Sequence, residues 1–216
     1  MGLVLHGYWR SGTSYRTRIA LNLKGLDYEV RPVNLLAGEQ GETPYLEINP
    51  QGLAPALETD DAVLIQSPAI LEWLEETYPD PPLLPHDPQG RAVVRAMAAL
   101  VGCDIHPLNN LRVLRALKRD LSASDAQLAA WEVRWIGDGF KALERLIARQ
   151  GADFAWGARP TLADCYLVPQ VYSAERFGVD LEPYPLIRAI AERCRSLDAF
   201  ARAHPDRQPD AQAPSR

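Results

Sequence analysis

The chain has 216 residues, of which 47% are hydrophobic and 24% charged, and its formal net charge is −5. That length suits one large domain or two small ones with a real core, and the acidic balance excludes the basic face of a nucleic-acid binder. The absence of a signal-peptide pattern and of eighteen consecutive uncharged apolar residues predicts a cytoplasmic protein with no membrane partner.

In chain order, Val4 and Leu5 read as the end of a short apolar strand. Ser11, Gly12, Thr13 and Ser14 follow as a polar turn and N-cap, and Ile19, Ala20, Leu21 and Leu23 form the buried stripe of a helix closed by Gly25. The first-turn N–H groups and hydroxyls point at one spot, flanked by Arg10, Arg16 and Arg18. Basic residues there oppose the helix dipole, a local conflict that functional sites tolerate but that solvated arginines would also show. Tyr28 to Val33 alternates as a second strand. Ala56-Leu57 and Ala62 to Ile65, separated by the polar Glu58 to Asp61, read as an antiparallel hairpin. Ser67 as N-cap and Pro68 at the first helical position then open a helix with Ile70, Leu71 and Leu74 inward. The expectation is α/β, βαβ followed by ββα, over residues 1–80.

The proline-rich stretch from Pro79 to Pro88 fits neither periodicity, because each proline fixes φ and removes a donor, so residues 81–88 read as a linker. Strand signal nearly vanishes beyond it. Helical patterns at 92–101, 126–147, 162–176 and 187–203 predict an all-α domain over 89–203, with a frayed polar tail at 204–216. Cys103, Cys165 and Cys194 lie far apart without a CxxC pair, and the histidines lack metal-ligand spacing, so buried thiols and no metal are expected.

Three features then point to one end of the small sheet. One is the hydroxyl turn at 11–14. The second is the backbone before Pro55, where a cis peptide would expose the N–H and C=O of Ala54. The third is Gln66-Ser67 at a helix start, which suits a carboxylate, although Ser67 alone reads equally as a cap. A thiol-bearing peptide such as glutathione fits this set.

The first half resembles the thioredoxin-like βαβββα domain of cytosolic glutathione transferases, and the helical half follows in matching order. Within that family the chain is most similar to the zeta class, which includes maleylacetoacetate and maleylpyruvate isomerases. YWRSGTSYRTRIALNLKG (8–25), NPQGLAPAL (49–57), IQSPAILEWLEE (65–76) and CDIHPLNNLRVL (103–114) carry the resemblance. PTLADCYLVPQV (160–171) adds a Thr161 and Asp164 capping-box variant that speaks to folding. The chain reads Ser11-Gly12-Thr13 where the commonest zeta motif is Ser-Ser-Cys, and its SGTS tetrapeptide is similar to that of bacterial maleylpyruvate isomerases.

The resemblance implies glutathione as cofactor, held by Ser11, Gln51, Ala54, Gln66 and Ser67, with His106 and Asn110 reaching it from one helical face. It implies Ser11 and Thr13 as thiolate donors and a small dicarboxylate substrate received by Arg10, Arg112 and Arg176, with Arg10 also acting in catalysis. It further implies a homodimer. The expected activity is glutathione-dependent cis-trans isomerisation of maleylpyruvate in aromatic (gentisate) catabolism. Alternatives are maleylacetoacetate isomerisation in tyrosine and homogentisate catabolism, conjugation of glutathione to haloacids, and a non-catalytic binding protein on the same scaffold.

Overall fold

In the computed structural model, which describes residues 2–211, the first elements are β1 (Leu3–Gly7), α1 (Gly12–Leu23) and β2 (Tyr28–Pro32), with β1 and β2 parallel. A parallel pair needs a crossover, and α1 supplies it. The helix stops in a Schellman arrangement: Gly25 has φ +68°, its N–H donates to the Asn22 carbonyl at 3.1 Å, and the Leu26 N–H donates to Leu21 at 3.1 Å. After α2 (Thr43–Ile48) come β3 (Ala56–Glu58), β4 (Val63–Ile65) and α3 (Ser67–Thr77). The sheet order is β2-β1-β3-β4, and the β1/β3 and β3/β4 pairs are antiparallel. This is the expected thioredoxin-like arrangement. Helix α2 is absent from the expected βαβββα order: its six residues, with Pro44 second and only Tyr45 buried, give no readable periodicity.

The chain divides into two compact units, one formed by Met1–Pro82 with Ser196–Arg216 and the other by Leu83–Arg195. The helix expected over 187–203 is therefore broken. Its first part is α8 (Pro185–Arg195), and after the extended Leu197 its second part is α9 (Asp198–Ala203), which packs against α1 in the first unit. The Asn22 side chain donates to the Ala199 carbonyl at 2.8 Å, and Arg18 Nε donates to Ala203 at 3.0 Å. The frayed tail is likewise corrected over 204–211. There a 3-10 turn (Pro205–Arg207) is followed by Gln208, whose amide donates to the Arg202 and His204 carbonyls at 2.9 Å each. The remainder of the predicted tail, 212–216, lies outside the described residues.

The second unit is helical. It contains α4 (Pro88–Ala99), a π-helical stretch (Leu100–Ile105), a 3-10 turn (His106–Asn109), α5 (Leu111–Asp120), α6 (Asp125–Gln150) and α7 (Leu162–Arg176), followed by α8. Helix α7 packs on α4 and α8, and α6 packs on α8. Val94, Ile136, Phe140, Val168 and Ile187 are fully buried there. The proline-rich connector docks on this unit: Leu83 is buried and its carbonyl accepts from Leu162 N–H at 2.9 Å. Cys165 and Cys194 are buried thiols, but Cys103, in the irregular π-helical stretch, is exposed, against expectation.

Candidate active site

Strand register brings three segments to one end of the first unit's sheet. His6 pairs with Ala56, and Ala56 pairs with Ile65, so the chain beyond Gly7, the residues before Ala56 and those after Ile65 all emerge together. Ligands of open α/β sheets gather at such strand ends.

The first segment is the turn into α1. Ser11 is the N-cap with extended backbone (φ −68°, ψ 122°), and its Oγ accepts from Ser14 N–H at 3.3 Å. Ser14 is buried and its Oγ accepts from the Tyr8 N–H, also at 3.3 Å. A side chain at position 7 would meet that hydroxyl at 3.0 Å, which accounts for Gly7. Arg16 and Arg18, far from being solvated, are 2% and 1% exposed. Arg10 is half-buried, with its guanidinium 5.2 Å from the centre of the Trp9 ring.

The second segment is the edge before Pro55, and the Ala54-Pro55 bond is cis. Thr13 Oγ1 donates to the Ala54 carbonyl at 2.9 Å and lies 2.8 Å from Ser11 Oγ. A carbonyl only accepts, so Thr13's single proton is committed to Ala54 and Ser11 must donate to Thr13. Just upstream, the Leu53 carbonyl accepts from Tyr45 Oη at 2.7 Å and from the Asn49 amide. Burial pushes the Tyr45 phenol up to about 12, with the Asn49 hydrogen bond opposing, so it remains a donor at neutral pH. Tyr45 and Asn49 thus position the edge. Their signal in the sequence was a tyrosine and an asparagine four apart in a segment that reads as loop.

The third segment is the start of α3. Gln66, not Ser67, is the N-cap; Ser67 is the first helical residue and Pro68 the second. Ile65 is still paired in β4, so Gln66 alone makes the turn, and it does so at φ 67°, a left-handed conformation uncommon outside glycine. Strain of this kind persists where the surroundings over-determine it, often at ligand clamps. The Gln66 amide donates to the Gln51 side-chain carbonyl. Ser67 is buried at the positive end of the α3 dipole.

The other predicted site residues belong to the second unit. His106 and Asn110 do not share a helical face. His106 opens the 3-10 turn, whereas Asn110 is the extended N-cap of α5 (φ −69°, ψ 142°), and its Oδ1 accepts from Arg112 N–H at 3.0 Å. The irregularity has a cause in Pro107, whose ring in a regular helix would collide with the Cys103 carbonyl; His106 N–H instead bonds back five residues to Val101. Arg112 is exposed on α5. Arg176, at the end of α7, has its guanidinium 5.1 Å from the Phe177 ring centre and 5.9 Å from that of Tyr172. Its charge is felt by Glu132 on α6: burial raises that carboxyl's pKa and Arg176 opposes the shift.

Asp164 on α7 is the anchor that its capping position predicts. Its carboxylate accepts from the N–H groups of Thr161 (2.8 Å) and Ala155 (2.9 Å) and from the Thr161 hydroxyl (3.0 Å). It is buried, and it supports the fold of the second unit.

Residues 5–82 match the family model for the glutathione S-transferase N-terminal domain. Over 209 residues, 95% of this chain and 98% of the relative, the sequence is 57% identical to a maleylpyruvate isomerase of a Ralstonia species. A solved holo structure of a maleylpyruvate isomerase, described as a bacterial zeta-class glutathione S-transferase, superposes with a TM-score of 0.95. It is 56% identical, over 97% of this chain and all of that one. A maleylacetoacetate isomerase from Anaeromyxobacter dehalogenans, solved with glutathione in its active site, gives a TM-score of 0.89 at 48% identity over 98% of each chain. The chain belongs to the glutathione S-transferase family, in its zeta class.

Proposed function

We propose that this protein is a glutathione-dependent cis-trans isomerase acting on maleylpyruvate, with maleylacetoacetate as the nearest rival substrate. The observation that carries the reading is the meeting, at one sheet end, of the Ser11–Thr13–Ala54 hydrogen-bond chain with the Gln51–Gln66 pair at the start of α3. These residues fit glutathione. The Ala54 backbone edge suits its peptide, while Gln51, Gln66 and Ser67 at the α3 dipole suit its α-amino-acid end. When bound, glutathione supplies a thiolate that adds reversibly to a conjugated double bond, so that the bond can rotate before the thiolate leaves.

The protein's part begins with holding the proton off that sulfur. A thiol of pKa about 8.5 lowered by ~2 units needs roughly 2.7 kcal/mol of preference for the anion. The N-terminus of α1 contributes about 0.3–1 kcal/mol and each hydrogen bond to the anion about 1.5–3 kcal/mol. Ser11 is the donor suited to this, because its proton can turn from Thr13 to the sulfur while its oxygen still accepts from Ser14 N–H. Thr13 belongs with it as the residue tying α1 to the Ala54 edge.

Arg10, Arg112 and Arg176 are assigned to the substrate's two carboxylates and to the negative charge that develops on its keto oxygen, stabilisation specific to the reaction coordinate. Trp9 holds Arg10 in place by its ring face, as Tyr172 and Phe177 hold Arg176. His106 and Asn110 are assigned to glutathione from the helical unit; Asn110 Oδ1 is occupied in capping α5, leaving its amide nitrogen for that role. The N-terminal unit serves as the glutathione domain and the helical unit as the substrate domain of a cytoplasmic homodimer.

The test is to follow maleylpyruvate with purified protein and substoichiometric glutathione, then to repeat with maleylacetoacetate. Many turnovers per glutathione establish the isomerase, and the faster substrate identifies the branch. Stoichiometric consumption of glutathione, or no conversion of either substrate, overturns the reading.

A further inference from the structure

The peptide unit between Tyr8 and Trp9 is held at both ends. Its carbonyl oxygen accepts from the Ser11 N–H at 3.0 Å, and its N–H donates to Asp210 Oδ2 at 2.9 Å. The next carbonyl, that of Trp9, accepts from Arg18 Nη2 at 2.9 Å, and the same guanidinium donates through Nε to Ala203 at 3.0 Å. Two hydrogen bonds therefore run from the backbone beside Arg10 and Ser11 to residues some two hundred positions later, one directly and one through a buried arginine. We infer that Asp210 is a positioning residue for the thiolate turn, and that the segment 204–211 acts as a brace for it.

Burial and charge both support this. Trp9 is only 9% exposed, so its N–H has little access to water and loses its partner when Asp210 is removed. The second carboxylate oxygen, Asp210 Oδ1, is buried and has no hydrogen-bond partner among the described residues. A buried carboxylate oxygen without a donor is unfavourable and calls for an explanation. An aspartate serving only to dock a tail would be better satisfied facing water, whereas one aimed at a single backbone N–H serves that N–H.

The segment carrying Asp210 is itself fixed by Gln208, whose amide donates to the Arg202 and His204 carbonyls at 2.9 Å each. The consequence reaches two residues. Ser11 hangs from the far end of the braced peptide unit, and Arg10 rests its guanidinium on the ring of Trp9, the residue whose N–H is held. Loss of the brace loosens both the thiol donor and one carboxylate receptor, leaving the Gln51–Gln66 receptor as it is.

This inference rests on the proposed role of Ser11 and Arg10, and the test separates the two. Asp210→Ala and Asp210→Asn are compared with wild type and with Ser11→Ala. Amide hydrogen exchange of the glutathione-free protein is measured along with kcat and KM for glutathione, below the melting temperature of every variant. In Asp210→Ala the amides of residues 9–11 should exchange about tenfold faster or more, kcat should fall about tenfold, and KM for glutathione should stay within about twofold. Asp210→Asn, whose side-chain carbonyl still accepts from Trp9, should recover most of kcat. Faster exchange confined to 204–211 with unchanged kcat overturns the inference, as does a failure of the asparagine variant to rescue while folded. If Ser11→Ala turns over like wild type, the reading of the site itself fails, whatever Asp210 does. Should Asp210→Ala not fold, Asp210→Asn and Asp210→Glu carry the test, with kcat following the exchange protection of Trp9 across the series.

Discussion

Thr13 Oγ1 donates to the carbonyl of Ala54, 2.9 Å away, and this bond orients the hydroxyl chain at the start of α1: Ser11 gives its proton to Thr13, and Thr13 gives its own to the edge. Two hydroxyls side by side are thereby unequal. Ser11 can redirect its proton to an anion at the loss of one neutral hydrogen bond, whereas Thr13 can do so only by releasing Ala54.

Substitution separates the two. Ser11→Ala should lower kcat about 10²-fold, in the range expected for loss of a preorganised donor, and should raise the apparent pKa of the bound thiol, followed by thiolate absorbance. Thr13→Val should leave that pKa near wild type while raising KM for glutathione, because what it loses is the tie to the binding edge. Equal shifts of thiol pKa in both variants would show that the chain does not run in the direction described.

A second prediction concerns the buried ion pair of Lys24 and Glu75, 2.6 Å apart, with side chains 0% and 6% exposed; the lysine also donates to the Pro81 carbonyl at 2.8 Å. The pair fastens the end of α1 to α3 and to the chain's exit from the first unit. Glu75→Gln should destabilise by about 3 kcal/mol or more, because it strands a buried cation, while Lys24→Met with Glu75→Leu should be much nearer wild type. Urea denaturation of the single and double variants measures this.

Asp164 yields a pH prediction. Burial raises its carboxyl to about 6 from the usual 3.8, against the opposing pull of the Ala155 and Thr161 donors. The folded state holds this proton more tightly than the unfolded chain, so its contribution is fully present below pH ~4 and is lost as pH rises through about 6. The difference amounts to about 3 kcal/mol. Asp164→Asn removes the titration, and the slope of unfolding free energy against pH between about 4 and 6 should become correspondingly more positive than in wild type. An unchanged slope would place the titration elsewhere.

Gly139 on α6 is the fourth test. A methyl group there would sit 2.2 Å from Ile105 Cδ1 and 2.3 Å from its Cγ1, at the end of the π-helical stretch that leads into His106. Gly139→Ala should destabilise by about 1–3 kcal/mol despite its better helix propensity, and Ile105→Ala in the same chain should relieve part of that loss. Thermal melts of the three proteins decide it.

Where a side-chain pattern and a backbone rule coincide, the sequence was enough. The N-cap at Ser11, the closure at Gly25 and the Ala56 and Ile65 hairpin all follow from local chemistry with one low-energy solution. The Gln66-Ser67 receptor was legible, but its N-cap falls at Gln66 rather than Ser67, because the last β4 pairing, a long-range event, decides which residue turns. His106 and Asn110 were assigned one helical face on spacing alone, and Pro107 invalidates the spacing. The break between α8 and α9 was hidden by continuous helical propensity from Ile187 to Ala203; only the division into units parts Cys194 from Phe200. Asp210 had no local signal, since its partner is some two hundred residues away.

That separation bears on how the molecule is made. The first unit is discontinuous, with its sheet translated before the helical unit and α9 and its following residues translated after it. While the ribosome is still adding the helical unit, the turn at Ser11 has its own strand and helix but lacks the Ala203 and Asp210 contacts. The nascent chain therefore emerges with its Ser11 corner unfinished, and the corner is completed only after residues 203–210 have followed the helical unit.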